Sequence, residues 1–127
     1  MARVLVYAPS QARATWVESE LQHDDVMLQI AFSIDHVVSA LVEDPPPRPQ
    51  ILVADFDDIN PAEVLHLHVL REQGWFGRII ALGSLPVALR ISLQVECVLD
   101  TPVARDALRD VITSNGFAAK TTKLPVL

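Results

Sequence analysis

Carboxylates that follow short apolar runs are the residues of this chain best placed to do chemistry. Asp55, Asp57 and Asp58 come directly after Ile51-Leu52-Val53-Ala54, and Asp100 comes after Cys97-Val98-Leu99. Three acids on one loop offer oxygen ligands to a hard cation, but Mg²⁺ asks for near-octahedral geometry that a single loop supplies poorly. The simpler role for Asp55 is structural: an Asp at a strand end accepts hydrogen bonds from backbone N–H groups of the loop that follows. Other reactive side chains form no constellation. His66 and His68 stand two apart, so on a helix they face away from each other, with no third ligand near. Cys97 is the lone cysteine, which excludes an internal disulfide or a zinc cluster, and its apolar strand context predicts an inert core residue. No glycine-rich phosphate loop follows the first apolar run and no nucleophile elbow surrounds a serine, so nucleotide, flavin and hydrolase chemistry lack an anchor. Trp75-Phe76, between Gly74 and Gly77, is expected to pack beneath a helix end, with an exposed contact as the alternative.

Charge narrows the field. Ten basic and sixteen acidic residues give a net charge of −6, which argues against a sequence-independent grip on nucleic acid. The two lysines are Lys120 and Lys123; residues 1–119 carry eight arginines against all sixteen acids, a body charge of −8. Chemistry that needs a lysine inside the folded body is excluded, and positive charge at the strand ends is expected to be scarce. With 127 residues, half of them hydrophobic and a fifth charged, the chain is one globular domain. No apolar run approaches the ~20 residues that cross a bilayer, and Met1-Ala2-Arg3 leads into the first apolar run without a cleavable signal pattern. A cytoplasmic protein without membrane contact is expected.

The elements that must position these residues alternate in type. Apolar strands are expected at 4–7, 26–31, 51–54, 78–82 and 97–99. Ser10 caps a helix through about residue 23, with Trp16, Val17 and Leu21 on one face. After Ser33, Ile34, Val37, Val38, Leu41 and Val42 fall at helical spacing, and the proline run at 45–49 stops that helix. Asn60-Pro61-Ala62-Glu63 joins an Asn cap, a proline at the first helical position and Glu at the third, opening a helix to about residue 73. Ala104, Ala107, Leu108, Val111 and Ile112 mark a last helix. Residues 84–96 carry two signals at once: Val87, Leu89, Ile91, Leu93 and Val95 alternate as in a strand, while Pro86 favours a short or distorted helix, the preferred reading. Strand-helix alternation predicts a doubly wound α/β fold with a parallel sheet covered on both faces. Residues 1–116 form the domain, and 117–127 a flexible tail.

In such sheets ligands meet the carboxyl ends of the strands, here Ala8-Pro9, Asp55 to Asp58, Gly83-Ser84 and Asp100-Thr101-Pro102. The apolar strand closed by Asp55, the Asn60-Pro61 helix start, the 78–84 strand and the Thr101-Pro102 junction together resemble the receiver (CheY-like) domains of response regulators in two-component phosphorelays. The resemblance covers residues 3 to about 115 and implies a flavodoxin-like five-stranded sheet in the order 2-1-3-4-5, with Asp55 at the phosphoacceptor position. The departures are specific. The paired metal-binding acids after the first strand are Ala8 and Pro9. The hydroxyl residue after the fourth strand is Gly83, with Ser84 one place late. The lysine before the last-helix proline is Thr101, and the switch aromatic is Val98. A carboxylate attacking a phosphoryl group brings two anions together, so losing metal ligands and lysine removes the usual compensation, and Asp57 adds to the repulsion. The span from Gly83 to Thr101 is about a helical turn short, which trims the fourth helix and rebuilds the family's signalling face. The resulting expectation is a pseudo-receiver that is not an enzyme, needs no cofactor or metal, contacts protein partners or a second copy of itself, and leaves nucleic acid alone. Its candidate contact residues are Val87, Leu89, Ile91, Leu93 and Arg105. A phosphorylatable receiver using Asp55, and a small-ligand sensor around Asp55, Gly83 and Thr101, are the alternatives.

Overall fold

The computed structural model describes residues 2–22, 26–43, 45, 47–57, 59–100, 103 and 107–113. Asp58, Thr101, Arg105 and the expected tail at 117–127 lie outside the described residues. Five strands alternate with helices in the expected order. They are β1 (Ala2–Tyr7), β2 (Val26–Ala31), β3 (Ile51–Asp55), β4 (Arg78–Leu82) and β5 (Cys97–Leu99). The helices are α1 (Gln11–Leu21), α2 (Ile34–Val38), α3 (Pro61–Glu72), α4 (Val87–Ser92) and α5 (Ala107–Thr113), with a π-helical stretch, Ser39–Glu43, continuing α2. All strand pairs are parallel and the order is β2-β1-β3-β4-β5.

Side-chain parity along the central strands divides the core into two layers. Val4 and Val6 of β1, Ile51 and Val53 of β3, and Ile80 and Leu82 of β4 pack with Ala14, Val17 and Leu21 of α1 and with Leu108 and Ile112 of α5. The alternate residues Leu5, Tyr7, Leu52, Ala54, Ile79 and Ala81 pack with Val37 of α2, Leu67 and Leu70 of α3, and Leu93. All of β3 is buried, as its unbroken apolar run predicted, whereas the edge strand β2 alternates. β5, the other edge, is half-buried, so Cys97 is not the core residue the sequence suggested.

Local signals start and stop these elements as expected. Ser10 and Ser33 cap α1 and α2 through their hydroxyls. Asn60 and Glu63 form a reciprocal capping box at α3. In the ambiguous segment the helix prevails: Arg90 N–H donates to the Pro86 carbonyl and Leu93 N–H to that of Leu89. Gln94 then takes a left-handed conformation, φ 58°, and Arg71 clamps the turn by donating to the carbonyls of Leu93 (2.8 Å) and Gln94 (3.0 Å). The alternating apolar residues therefore do not share one face: Val87 and Ile91 on the helix are exposed, whereas Leu93 and Val95 at its exit are buried. Trp75 and Phe76 part company: the Trp75 indole N–H donates to the Pro49 carbonyl (3.2 Å), whereas Phe76 is largely exposed.

Candidate functional site

The site lies at the carboxyl ends of β1, β3 and β4. Asp55 continues the parity of Ile51 and Val53, so it belongs to the α1 side of the sheet. It is the buried charged residue of the described core, only 1% exposed. Helix α1 starts above the same sheet edge, and its first-turn Arg13 places Nε 3.4 Å from Asp55 Oδ2 and Nη2 3.8 Å from Asp57 Oδ2. The guanidinium also lies over the Trp16 ring, 5.7 Å from its centroid. One guanidinium therefore stands at this mouth beside two described carboxylates, a cation that the count of lysines did not anticipate. Sequence reading passed over Arg13 because it stands 42 positions from Asp55; the available signal was a long cation in the first turn of the helix that follows β1.

Asp55 also performs the structural role anticipated for it, since Oδ1 accepts the Asp57 backbone N–H at 3.0 Å. Asp57 in turn accepts the Ser84 N–H at 3.3 Å. Ser84 therefore meets the site through its backbone. Gly83 makes this closure feasible: its φ is +100°, and a Cβ there would stand 2.3 Å from Asp57 Oδ1. The structure brings Asp55, Asp57, Gly83 and Ser84 together. Ala8 follows Tyr7, the register partner of Ala54, and so lies level with Asp55, but it is a buried methyl; Pro9 is exposed.

On the opposite layer, Tyr7 shares the parity of Leu5 and faces α3. Its hydroxyl donates to Glu63 Oε2, while Glu63 Oε1 accepts the Asn60 N–H. One carboxylate thus ties β1 to the start of α3. Burial pushes the Tyr7 phenol well above its ordinary value, and the hydrogen bond and negative charge of Glu63, then the charge of Asp55, act in the same direction.

The described donor set does not fit a divalent ion. Ala8 and Pro9 carry no side-chain oxygen, and both carboxylates described here face Arg13. Among the described residues no group of three His, Cys, Asp or Glu side chains could hold a metal.

Beside this mouth, the candidate contact residues separate. Val87 and Ile91 are 71% and 70% exposed, and Leu89 is half-buried. Leu93 is fully buried in the α2–α3 layer and so is not a contact residue: the turn after α4 points it into the core. An open cleft of about 510 Å³ runs between Ser84, Val87, Arg90, Val98 and Asp100.

No protein-family profile and no curated protein sequence matches the chain. A parallel five-stranded sheet in this order defines the flavodoxin-like class of doubly wound folds. Within it, the fold is that of response-regulator receiver domains. The chain is similar to the receiver domain of a putative LuxO repressor protein from Vibrio parahaemolyticus, with a TM-score of 0.76 at 16% identity over 97% of this chain and 95% of that one. It is similar to the Francisella response regulator 1452 receiver domain, with a TM-score of 0.72 at 18% identity over 96% and 99% of the two chains. It is also similar to a chain in the co-crystal structure of Saccharomyces cerevisiae histidine phosphotransfer protein Ypd1 with the receiver domain of Ssk1, at a TM-score of 0.69 and 15% identity over 93% and 90%. Among the described residues no helix is long and apolar enough to cross a membrane.

Proposed function

We propose that this chain is a pseudo-receiver: a receiver-fold module of a bacterial two-component-type pathway that regulates by protein contact rather than by Mg²⁺-dependent aspartyl phosphorylation. One observation carries the reading. The metal-ligand positions hold Ala8 and Pro9, while the Arg13 guanidinium is shared between two acids, Asp55 and Asp57, and is already engaged within the fold. The guanidinium stabilises the ionised Asp55 carboxylate at Oδ2, and that contact must loosen before this oxygen can attack. The contact surface is the α4–β5 side, where exposed Val87 and Ile91 accompany the cleft that includes Arg90. A protein of the pathway or a second copy of this chain would dock there, in the cytoplasm and without nucleic acid. Residues 1–116 would form the working domain.

Arg13 also favours a second reading. A guanidinium beside Asp55 offers a cation to a bound phosphoryl group, a role that the family resemblance gives to a lysine at the position of Thr101. Incubation with acetyl phosphate and Mg²⁺, followed by intact mass spectrometry, separates the two. The pseudo-receiver keeps its mass. A gain of one phosphoryl group that Asp55→Asn abolishes establishes the second reading instead. Sedimentation across a concentration series tests the homodimer, which a strictly monomeric result would remove.

A further inference from the structure

The amino ends of the strands, opposite the acidic mouth, hold a second cleft of about 440 Å³. Its walls come from the start of β1, the proline connector before β3 and the loop between α3 and β4. They are pinned to one another. Gln50 N–H donates to the Arg3 carbonyl (3.1 Å), Arg78 N–H to the Gln50 carbonyl (2.9 Å), and the Trp75 indole N–H to the Pro49 carbonyl (3.2 Å). Arg71 lies 5.2 Å from the Trp75 ring centroid and donates to the Trp75 and Gly77 carbonyls. Gly77 lies so close to the indole that a Cβ would approach Trp75 Cζ2 to 2.4 Å. The cavity is therefore a framed feature of the fold and not a gap between mobile loops.

Its chemistry is two-sided. Arg3 and Arg48 line it, and no acid does among the described residues, although the chain as a whole carries −6. Arg3 donates to the thioether of Met27 (2.9 Å), a weak acceptor, so a guanidinium with five donors retains capacity for an anion. Pro47, Pro49 and Trp75 supply apolar surface beside these cations. The volume falls within the ~300–1,000 Å³ typical of small-molecule sites. We propose that this cleft binds a small ligand that joins a flat ring to a phosphate, the anion held by Arg3 and Arg48 and the ring by the indole and proline surfaces. The site lies at the other end of the sheet from Asp55 and does not rest on the pseudo-receiver reading.

Phenyl phosphate and adenosine monophosphate serve as probes, titrated into ¹⁵N-labelled full-length protein while the two tryptophan indole N–H signals are followed. Trp75→Phe assigns the signals. The Trp75 signal should shift saturably while that of Trp16 stays. Arg3→Gln with Arg48→Gln should weaken binding by about tenfold or more, since charge-assisted hydrogen bonds are lost. Added salt should weaken it in the wild type, which tests the charge without any variant. A response to adenosine monophosphate alone identifies a nucleotide site, and one to phenyl phosphate alone a site for smaller phosphorylated rings. The proposal fails if neither probe shifts Trp75 up to about 10 mM, a weak-binding limit. It fails equally if phenol and adenosine shift it as strongly, or if both the double variant and salt leave the affinity unchanged.

Discussion

Replacing Arg13 with Gln tests the central electrostatic claim, because it removes the cation and leaves Asp55 buried. At 3.4 Å and an effective dielectric of about 20, the Arg13–Asp55 attraction is about 5 kcal/mol before desolvation is subtracted. Breaking a buried pair by deleting one partner costs about 3–5 kcal/mol. Here the Arg13 side chain is 23% exposed, so water softens the loss to about 2–4 kcal/mol. The Asp57 arm, longer and 38% exposed on the acid side, adds less than about 1 kcal/mol. A domain of this size has about 5–15 kcal/mol of stability, so the variant should still fold. Its urea midpoint should fall by about 1–2 M, taking a slope near 2 kcal/mol/M. Asp55→Asn alone should cost less, because it removes the buried charge itself. Combining the two should cost little more than Asp55→Asn, which gives a coupling energy of about 2 kcal/mol in a double-mutant cycle. Urea melts of the four proteins at low salt and neutral pH supply the cycle. Strict additivity, with coupling below about 0.5 kcal/mol, would refute the claim that Arg13 is the counter-charge of Asp55.

Gly83→Ala should destabilise by about 2–3 kcal/mol, through left-handed backbone strain plus the clash with the Asp57 carboxylate. Adding Asp57→Ala should restore the steric part and leave the strain, as thermal melts would reveal; no difference between the single and double variants would remove the carboxylate from the account. Tyr7 is the chain's single tyrosine, so phenolate absorbance reports it alone. Its folded-state value is raised, so the native protein keeps a proton that the unfolded chain releases above about pH 10. Its contribution is therefore complete below about pH 10 and is lost as pH rises beyond it. Tyr7→Phe should flatten that alkaline decline while costing about 1 kcal/mol at neutral pH. An absorbance titration of the folded protein with a midpoint near 10 would contradict the buried Tyr7–Glu63 contact.

Much of the scaffold was legible in neighbouring residues. The unbroken apolar run at 51–54 required a strand covered on both faces, and Asn60-Pro61-Ala62-Glu63 carried its own helix start. The acid at 55, the lack of acids at 8 and 9, and a lysine-free body were equally plain from the chain alone. Segment 84–96 was legible only in part. Val87, Leu89, Ile91, Leu93 and Val95 satisfy a period of two, but backbone hydrogen bonds from Arg90 and Leu93 wind them into a helix and its exit. That choice buries Leu93 and leaves Val87 and Ile91 outside.

The charge state of the mouth belonged wholly to tertiary structure. Periodicity reports which face of its own element a side chain occupies; it does not say which element lies opposite. Placing β1 beside β3 sets the start of α1 over Asp55, and the parity of β3 turns that carboxylate toward α1. The opposite parity of Tyr7 sends it to Glu63. Counting lysines could therefore establish that an amine was missing, but only packing decided that a guanidinium from another element stands near the acid. Electrostatic energy depends on distance through space, and residues 13 and 55 become neighbours only when the sheet has formed.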